Sequence, residues 1–427
     1  MGSHDERFDP LFQKMVEAFR GDPAAWRGVN QALRDAIVAY ARERSAYYRE
    51  HIPPGTTFEE IPVLTRPTVR ERRDELVVDG TEARQVAVRG SGSTGEPLSF
   101  FRDTTQGPAE HTSGERFLRW LQGIPFDATK VWISTLPRGI LGRRAAPFGL
   151  RRSDAAVHGV LASTLSPRRI EREVRRWTRF RSYFVYGVAS LIDVVAEHVE
   201  RRGLRPARSP IAVVTTADTL TRSSEARIAR AFGCPVHSWY GSNEFNGFVA
   251  GTVPGTRRYA FNPLLVHAEV LADDGSPARP GSPGRIMLTD LNNYVMPFIR
   301  YDTGDVAVPS EDGFVGGFRL VDDIHGRSSE TLRLPSGRAV SGSALGARLF
   351  VDSDLTREVR FWQCAQVAPD VLELRVVWAR EASDEAIGRI VEALRQVLDP
   401  TTVVRVRGVD RLERLPSGKA WLVRREF

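Results

Sequence analysis

At 427 residues, 41% hydrophobic and 26% charged, the chain is too long for one hydrophobic core and too apolar for whole-chain disorder, so two or three folded domains are expected. The 60 Lys plus Arg against 53 Asp plus Glu give a formal charge of +7 and a pI near 9.7, which favours encounter with anions such as nucleotides or coenzyme A. That excess is spread along the chain, not gathered into a stripe, which excludes a dedicated nucleic-acid interface. Cys234 and Cys364 stand far apart without metal-ligand spacing, so neither a disulfide framework nor a structural zinc site is expected, and both read as small buried apolar residues. No apolar run reaches the roughly 18 residues that span a bilayer. The opening MGSHDERFDP lacks the apolar centre of a signal peptide, so the expected location is cytoplasmic, away from membranes.

In chain order, Phe8 to about Glu50 is helical in pattern, with Leu33, Ile37 and Tyr40 recurring at helical spacing. The Pro- and Thr-rich stretch after it offers Thr65 or Thr68 as the N-cap of a short helix. Strand-like runs follow at VWISTL, SYFVYG, PIAVVTTA, PVHSWYG and GRIMLTDL, with helical segments SPRRIEREVRRW and SLIDVVAEHVERRG among them. The alternation predicts an α/β architecture: a large N-terminal domain over 1–326 with mixed or parallel sheets flanked by helices. Beyond it REVRFWQCAQV, VLELRVVWAR, SDEAIGRIVEALRQVL and TVVRVRGV read as β-β-α-β, a small α+β domain over 327–427.

Five short stretches carry chemistry. In VRGSGSTGEPLSFF, small residues between two strands let backbone N–H groups converge on an anion, with Ser91, Ser93 and Thr94 adding hydroxyls beside Gly92 and Gly95. The alternative reading is a plain hairpin, and the pattern is not a Walker loop. HSWYGSNEFNG runs from a strand through Tyr240, Gly241 and Ser242 to Glu244, offering a ring to a purine and a carboxylate to Mg²⁺, or else only a loop with a solvated acid. MPFIRYDTGDV is a strand ending at Asp302, Gly304 and Asp305, suited to ribose hydroxyls or to a simple turn. Arg327 follows a glycine at the expected domain boundary. Near the end, Gly418 and Lys419 form a tight turn that presents a long cation in a chain with only three lysines, Lys14, Lys130 and Lys419.

Taken together and in this order, the five stretches resemble the acyl-adenylate-forming superfamily, and within it the phenylacetate-CoA ligase-like branch. GSGSTGEP is similar to that family's phosphate loop, YGSNE to its YGxxE motif, YDTGD to its YRTGD-type motif, GRSSETL to its hinge region and PSGKA to its C-terminal lysine element; the likeness spans about 60–427. It implies an ATP- and Mg²⁺-dependent enzyme that activates a carboxylic acid as acyl-AMP, releases pyrophosphate and passes the acyl group to coenzyme A. A carrier-protein thiol or an amine in secondary metabolism is the alternative acceptor, and a non-catalytic nucleotide-binding homologue is the rival from another class. By resemblance, Ser91, Gly92, Ser93, Thr94 and Gly95 hold phosphates and Glu244 places the metal. Ala217 and Asp218 lie on the adenine strand, Tyr240, Gly241 and Ser242 face the nucleotide, and Asp305 and Arg327 take the ribose. Lys419 meets the carboxylate and α-phosphate, and Thr94 and Glu244 share in catalysis. The small domain would turn about Ser329 and Glu330.

The resemblance places the acid among Tyr186, Gly187, Ala189, Trp239, Phe245, Asn246 and Gly247, a mixture that suits a small substituted aryl acid, though several of these aromatics can equally be core. His111, His237 and His267 are candidates for contacting a substituent. Two departures stand out: Glu96 where relatives carry Lys, and Asn243 where they carry Thr or Ser. The expected assembly is a monomer or homodimer.

Overall fold

The computed structural model describes residues 9–89, 98–105, 107–134, 157–161, 165–177, 179–217, 220, 222–272, 274–325, 331–336, 339–341, 345, 358–378, 382–413 and 423–427. The helical stretch at the start divides into α1 (Pro10–Arg20), α2 (Pro23–Arg44) and α3 (Ala46–His51). The breaks are chemical. Asp9 and Asp22 accept hydrogen bonds from Phe12 N (3.0 Å) and Ala25 N (2.9 Å), each followed by a proline at the first helical position. Thr65 caps α4 (Arg66–Glu71) in the same way, accepting from Thr68 N at 3.3 Å, and the short α5 (Arg73–Leu76) follows.

Strands β1 (Gln85–Arg89) and β2 (Ser99–Asp103) form an antiparallel pair. An eleven-stranded sheet follows, built from β3 (Thr129–Ser134), β4 (Val157–Leu161), β5 (Tyr183–Val188), β6 (Val213–Thr216), β7 (Val236–Ser242), β8 (Gly247–Thr252), β9 (Tyr259–Phe261), β10 (Val266–Leu271), β11 (Gly284–Asp290), β12 (Tyr301–Val315) and β13 (Phe318–His325). Its order is β10-β11-β12-β13-β9-β8-β7-β6-β5-β3-β4. From β4 to β7 neighbours run parallel, and from β7 to β10 they run antiparallel. The sheet is therefore mixed, as expected, parallel in one half and antiparallel in the other.

The parallel half is apolar on both faces, as parallel strands must be when covered twice. Phe184, Tyr186 and Val214 face a core shared with α6 (Gly107–Leu121), while Tyr183, Val185 and Val213 face a second core under α7 (Pro167–Trp177), α8 (Ala189–Arg201) and α9 (Arg222–Phe232). Cys234 packs half-buried against this second core.

The segment 296–300 is not a strand. Arg300 sits at φ +50°, held there because its buried guanidinium donates to Glu59 O (2.5 Å) and Ile61 O (2.7 Å) and pairs with Glu269 at 3.1 Å. Strand β12 starts one residue later, so Asp302, Gly304 and Asp305 open a strand where they were expected to close one.

After His325 the chain forms the short pair β14 (Thr331–Arg333) and β15 (Ala339–Ser341), then β16 (Val359–Ala368), β17 (Val371–Trp378), α10 (Asp384–Arg395), β18 (Val403–Gly408) and β19 (Val423–Arg425). The last four strands make a sheet of order β18-β17-β16-β19 with its own core around Leu372, Leu374, Val376, Ile390 and Leu394. Cys364 is sealed in it, and burial pushes its thiol up to about 12. Among the described residues no helix is long and apolar enough to cross a membrane.

His267 on β10 is structural. Its Nδ1–H donates to Asn30 Oδ1 at 2.6 Å, and burial, reinforced by Arg34, Arg319 and Arg300, lowers its pKa to about 3. Because the unfolded chain binds the proton that the folded chain refuses, stability from this group is complete above pH 6.5 and is lost as pH falls toward 3. Denaturant titrations from pH 7 to 4 should show His267→Gln flattening that decline by up to about 1.4 kcal/mol per pH unit; an unchanged slope would show that the ring protonates in the folded state.

Candidate active site

Two of the five stretches, those of Tyr240 and Asp305, meet where the sheet changes from parallel to antiparallel. β7 ends at Ser242, a 3₁₀ turn over Asn243–Phe245 follows, and β8 returns antiparallel. The hairpin is tight. Gly247 has φ +125°, and a Cβ there would lie 2.5 Å from His111 Nδ1; one on Gly241 would strike the Gly247 carbonyl.

Tyr240 and Asp305 come together across 65 positions of sequence, the phenol donating to Asp305 Oδ2 at 2.8 Å. Ala217, exposed at the end of β6, has φ +66°, a conformation costing a non-glycine residue about 1 kcal/mol and concentrated at functional sites. Asp218, Arg327 and Lys419 lie outside the described residues, as do Ser91 to Gly95 and Glu96. The flanks of that loop are in place: Arg89 pairs with Ser99 at the loop end of the β1–β2 ribbon.

Glu244 is 5% exposed, and its carboxylate faces Arg66 of α4, 3.4 Å away. Arg66 Nε and Nη2 are buried without a hydrogen-bond partner, which makes the neighbourhood receptive to an anion. No three His, Cys, Asp or Glu gather around a metal-sized gap among the described residues. One carboxylate fits Mg²⁺ as an ion that takes its other ligands from phosphates and water.

Behind this turn lies a buried network that the sequence does not announce. Arg102 of β2, 2% exposed, pairs with Asp290 of β11 at 2.5 Å and Glu110 of α6 at 3.2 Å, and donates to the Glu244 carbonyl at 2.8 Å. Asn246 Nδ2 donates to the same Glu110 at 3.2 Å. Burial raises the Glu110 pKa to about 7; Arg102 opposes that shift and Asp290 adds to it. The five contributing positions, 102, 110, 244, 246 and 290, come from β2, α6, the turn before β8 and β11, and no spacing rule links them.

The expected acid-binding residues divide. Tyr186 stands between Trp132 (5.9 Å) and Phe248 (6.1 Å), both half-buried, and near Asn246 and Gly247 through His111, whose Nδ1–H donates to Asn246 O at 3.0 Å. Gly187 lies opposite Ile133 in the β3–β5 register. Trp239 is sealed at 1% exposure with its indole N–H on Gln122 at 2.7 Å, Phe245 turns to Tyr301, and Ala189 packs in the second core. His237 is buried and kept neutral, its pKa lowered to about 4 by burial. Trp132 and Phe248, beside Tyr186, were not among the expected residues; period-two alternation in β3 and β8 places them on the Tyr186 face and was the available signal.

No protein-family model matches the chain. Protein CapK of Staphylococcus aureus is 18% identical over 410 residues, covering 89% of this chain and 85% of that protein. A phenylacetate-coenzyme A ligase of Thermus thermophilus is 23% identical over 311 residues, covering 66% of this chain and 65% of the relative. A crystal structure of 2-hydroxyisobutyryl-CoA ligase in the postadenylation state superposes with TM-score 0.64 at 18% identity, covering 96% of this chain and 92% of that one; its thioester-forming state gives 0.62. The fold is thus that of the acyl-adenylate-forming ligases. The likeness to the Thermus ligase agrees with the resemblance that the five sequence stretches carry.

Removing Arg102 leaves two carboxylates buried without their cation, so Arg102→Met should destabilise by about 3–5 kcal/mol. Combining it with Glu110→Gln and Asp290→Asn should recover most of that loss in urea titrations. No recovery would place the role of Arg102 in packing instead of charge.

Proposed function

We propose that the chain is an ATP- and Mg²⁺-dependent acid ligase that converts a small substituted aryl carboxylate into its acyl-AMP with release of pyrophosphate, then transfers the acyl group to coenzyme A. The observation that supports this most is the Tyr240–Asp305 contact, which joins two expected nucleotide positions beside the exposed, left-handed Ala217. Asp305 would accept from ribose hydroxyls while Tyr240, held by its own hydroxyl, covers the purine. Glu244 would hold Mg²⁺, which when bound neutralises phosphate charge. Arg66, with two donors unfilled, adds a cation beside it.

The 1–326 and 327–427 division belongs to the same proposal, with Ser329 and Glu330 at the pivot. The strands change sheet between His325 and Thr331, consistent with a boundary there. Lys419 would bring its ammonium to the acid carboxylate and the α-phosphate, stabilising charge as the phosphorus becomes five-coordinate.

The discriminating assay incubates the protein with ATP, Mg²⁺ and a panel of aryl and alkyl acids, with and without coenzyme A, and follows AMP, pyrophosphate and acyl products by mass. AMP with acyl-CoA supports the proposal, AMP without it points to an amine or carrier-protein acceptor, and no AMP with any acid leaves a nucleotide-binding protein. In acid-dependent pyrophosphate exchange, Lys419→Ala and Lys419→Arg should each lose about 10²-fold or more. Asp305→Ala should raise the KM for ATP about tenfold, the loss of a charge-assisted hydrogen bond.

A further inference from the structure

Lys130 of β3 reaches across to α6, where its Nζ lies 2.8 Å from both carboxylate oxygens of Glu115. The same ammonium stands 4.7 Å from the centre of the Tyr186 ring. Although the pair sits within the core between sheet and helix, the side chains keep 11% and 12% of their surface accessible, so neither is completely sealed off. Trp132, Phe248 and His111, all half-buried, stand around Tyr186 and the pair.

The protonation states are settled locally. Burial would raise the Glu115 pKa, but Lys130, then His111 and Arg119, outweigh it and hold the carboxyl below its ordinary value, so it is an acceptor. Burial, and then the Glu115 charge, raise the Tyr186 phenol, so it stays a neutral O–H engaged with Thr216. His111 spends Nδ1–H on the Asn246 carbonyl.

An ion pair in this position is not required for packing, since apolar residues of similar volume hold such a gap at least as well. We propose that Lys130 and Glu115 determine specificity by reading a hydroxyl substituent on the ring of the bound acid. This rests on the aryl-acid reading of the pocket given above. A hydroxyl both donates and accepts, so it satisfies the ammonium and the carboxylate together. A charged substituent would be attracted by one and repelled by the other, and a bare hydrocarbon would take water from the pair without offering either group a hydrogen bond, a mismatch that polar pockets discriminate against.

The test titrates the full chain calorimetrically with benzoate and with 2-, 3- and 4-hydroxybenzoate, and compares the Lys130→Met/Glu115→Gln double variant, which carries no unpaired buried charge. Thermal melts confirm that the variant is folded, and Glu115→Gln alone serves as the second variant if it is not. At least one hydroxybenzoate should bind the unmodified protein about tenfold more tightly than benzoate, and the variant should reduce that ratio to about threefold or less. An undiminished ratio, equal binding of all four acids, or binding of none overturns the assignment. Pyrophosphate exchange with the same acids separates the two claims. A hydroxyl preference without exchange removes adenylation and leaves the role of the pair as described, whereas exchange without preference removes the specificity role alone.

Discussion

Arg102 ties together the parts of this molecule on which its chemistry depends. Its guanidinium is held by carboxylates from α6 and β11 and by the carbonyl of Glu244, so one cation fixes the β1–β2 ribbon, the helix above the sheet and the 3₁₀ turn. A buried charge of this kind tolerates few alternative arrangements, because each displacement leaves a carboxylate desolvated. Asn246 shares Glu110 with Arg102, and the turn residue next to Glu244 is thereby positioned by the same network.

The sheet provides the second constraint. Ligands of open α/β sheets collect at the carboxyl ends of strands where the topology reverses. Here the reversal falls at β7, whose neighbours are parallel β6 on one side and antiparallel β8 on the other. Ala217 closes β6, Tyr240 lies near the end of β7, and Asp305 lies on β12, so residues more than 80 positions apart face one region without a long loop to bring them there. Gly241 and Gly247 permit this because their backbones are too close for any side chain.

Local pattern made much of this readable. The apolar runs of β5 and β6, the capped helices at the N-terminus and the β-β-α-β order of the last hundred residues follow from periodicity and turn chemistry alone. What escaped was set by tertiary contact. MPFIRYDTGD reads as a strand, yet Arg300 is pulled into a left-handed conformation by carbonyls from Glu59 and Ile61, some 240 positions earlier. Whether Trp239 serves core or pocket is ambiguous in sequence, and only the fold pairs its indole N–H with Gln122. The Arg102 network and the Lys130–Glu115 pair have no sequence signature, since each charge is ordinary in its own segment and unusual only in its burial.

The three lysines of an arginine-rich chain illustrate the same limit. Lys14 lies on the exposed face of α1, where an arginine would serve equally. Lys130 does not have that freedom. A compact ammonium can approach both oxygens of Glu115 while resting on the Tyr186 ring, whereas a planar guanidinium engaging the carboxylate side by side would need a wider gap and a different tilt over the ring. The lysine whose surroundings show a geometric reason for its identity is therefore one that composition and motif spacing had left without a role.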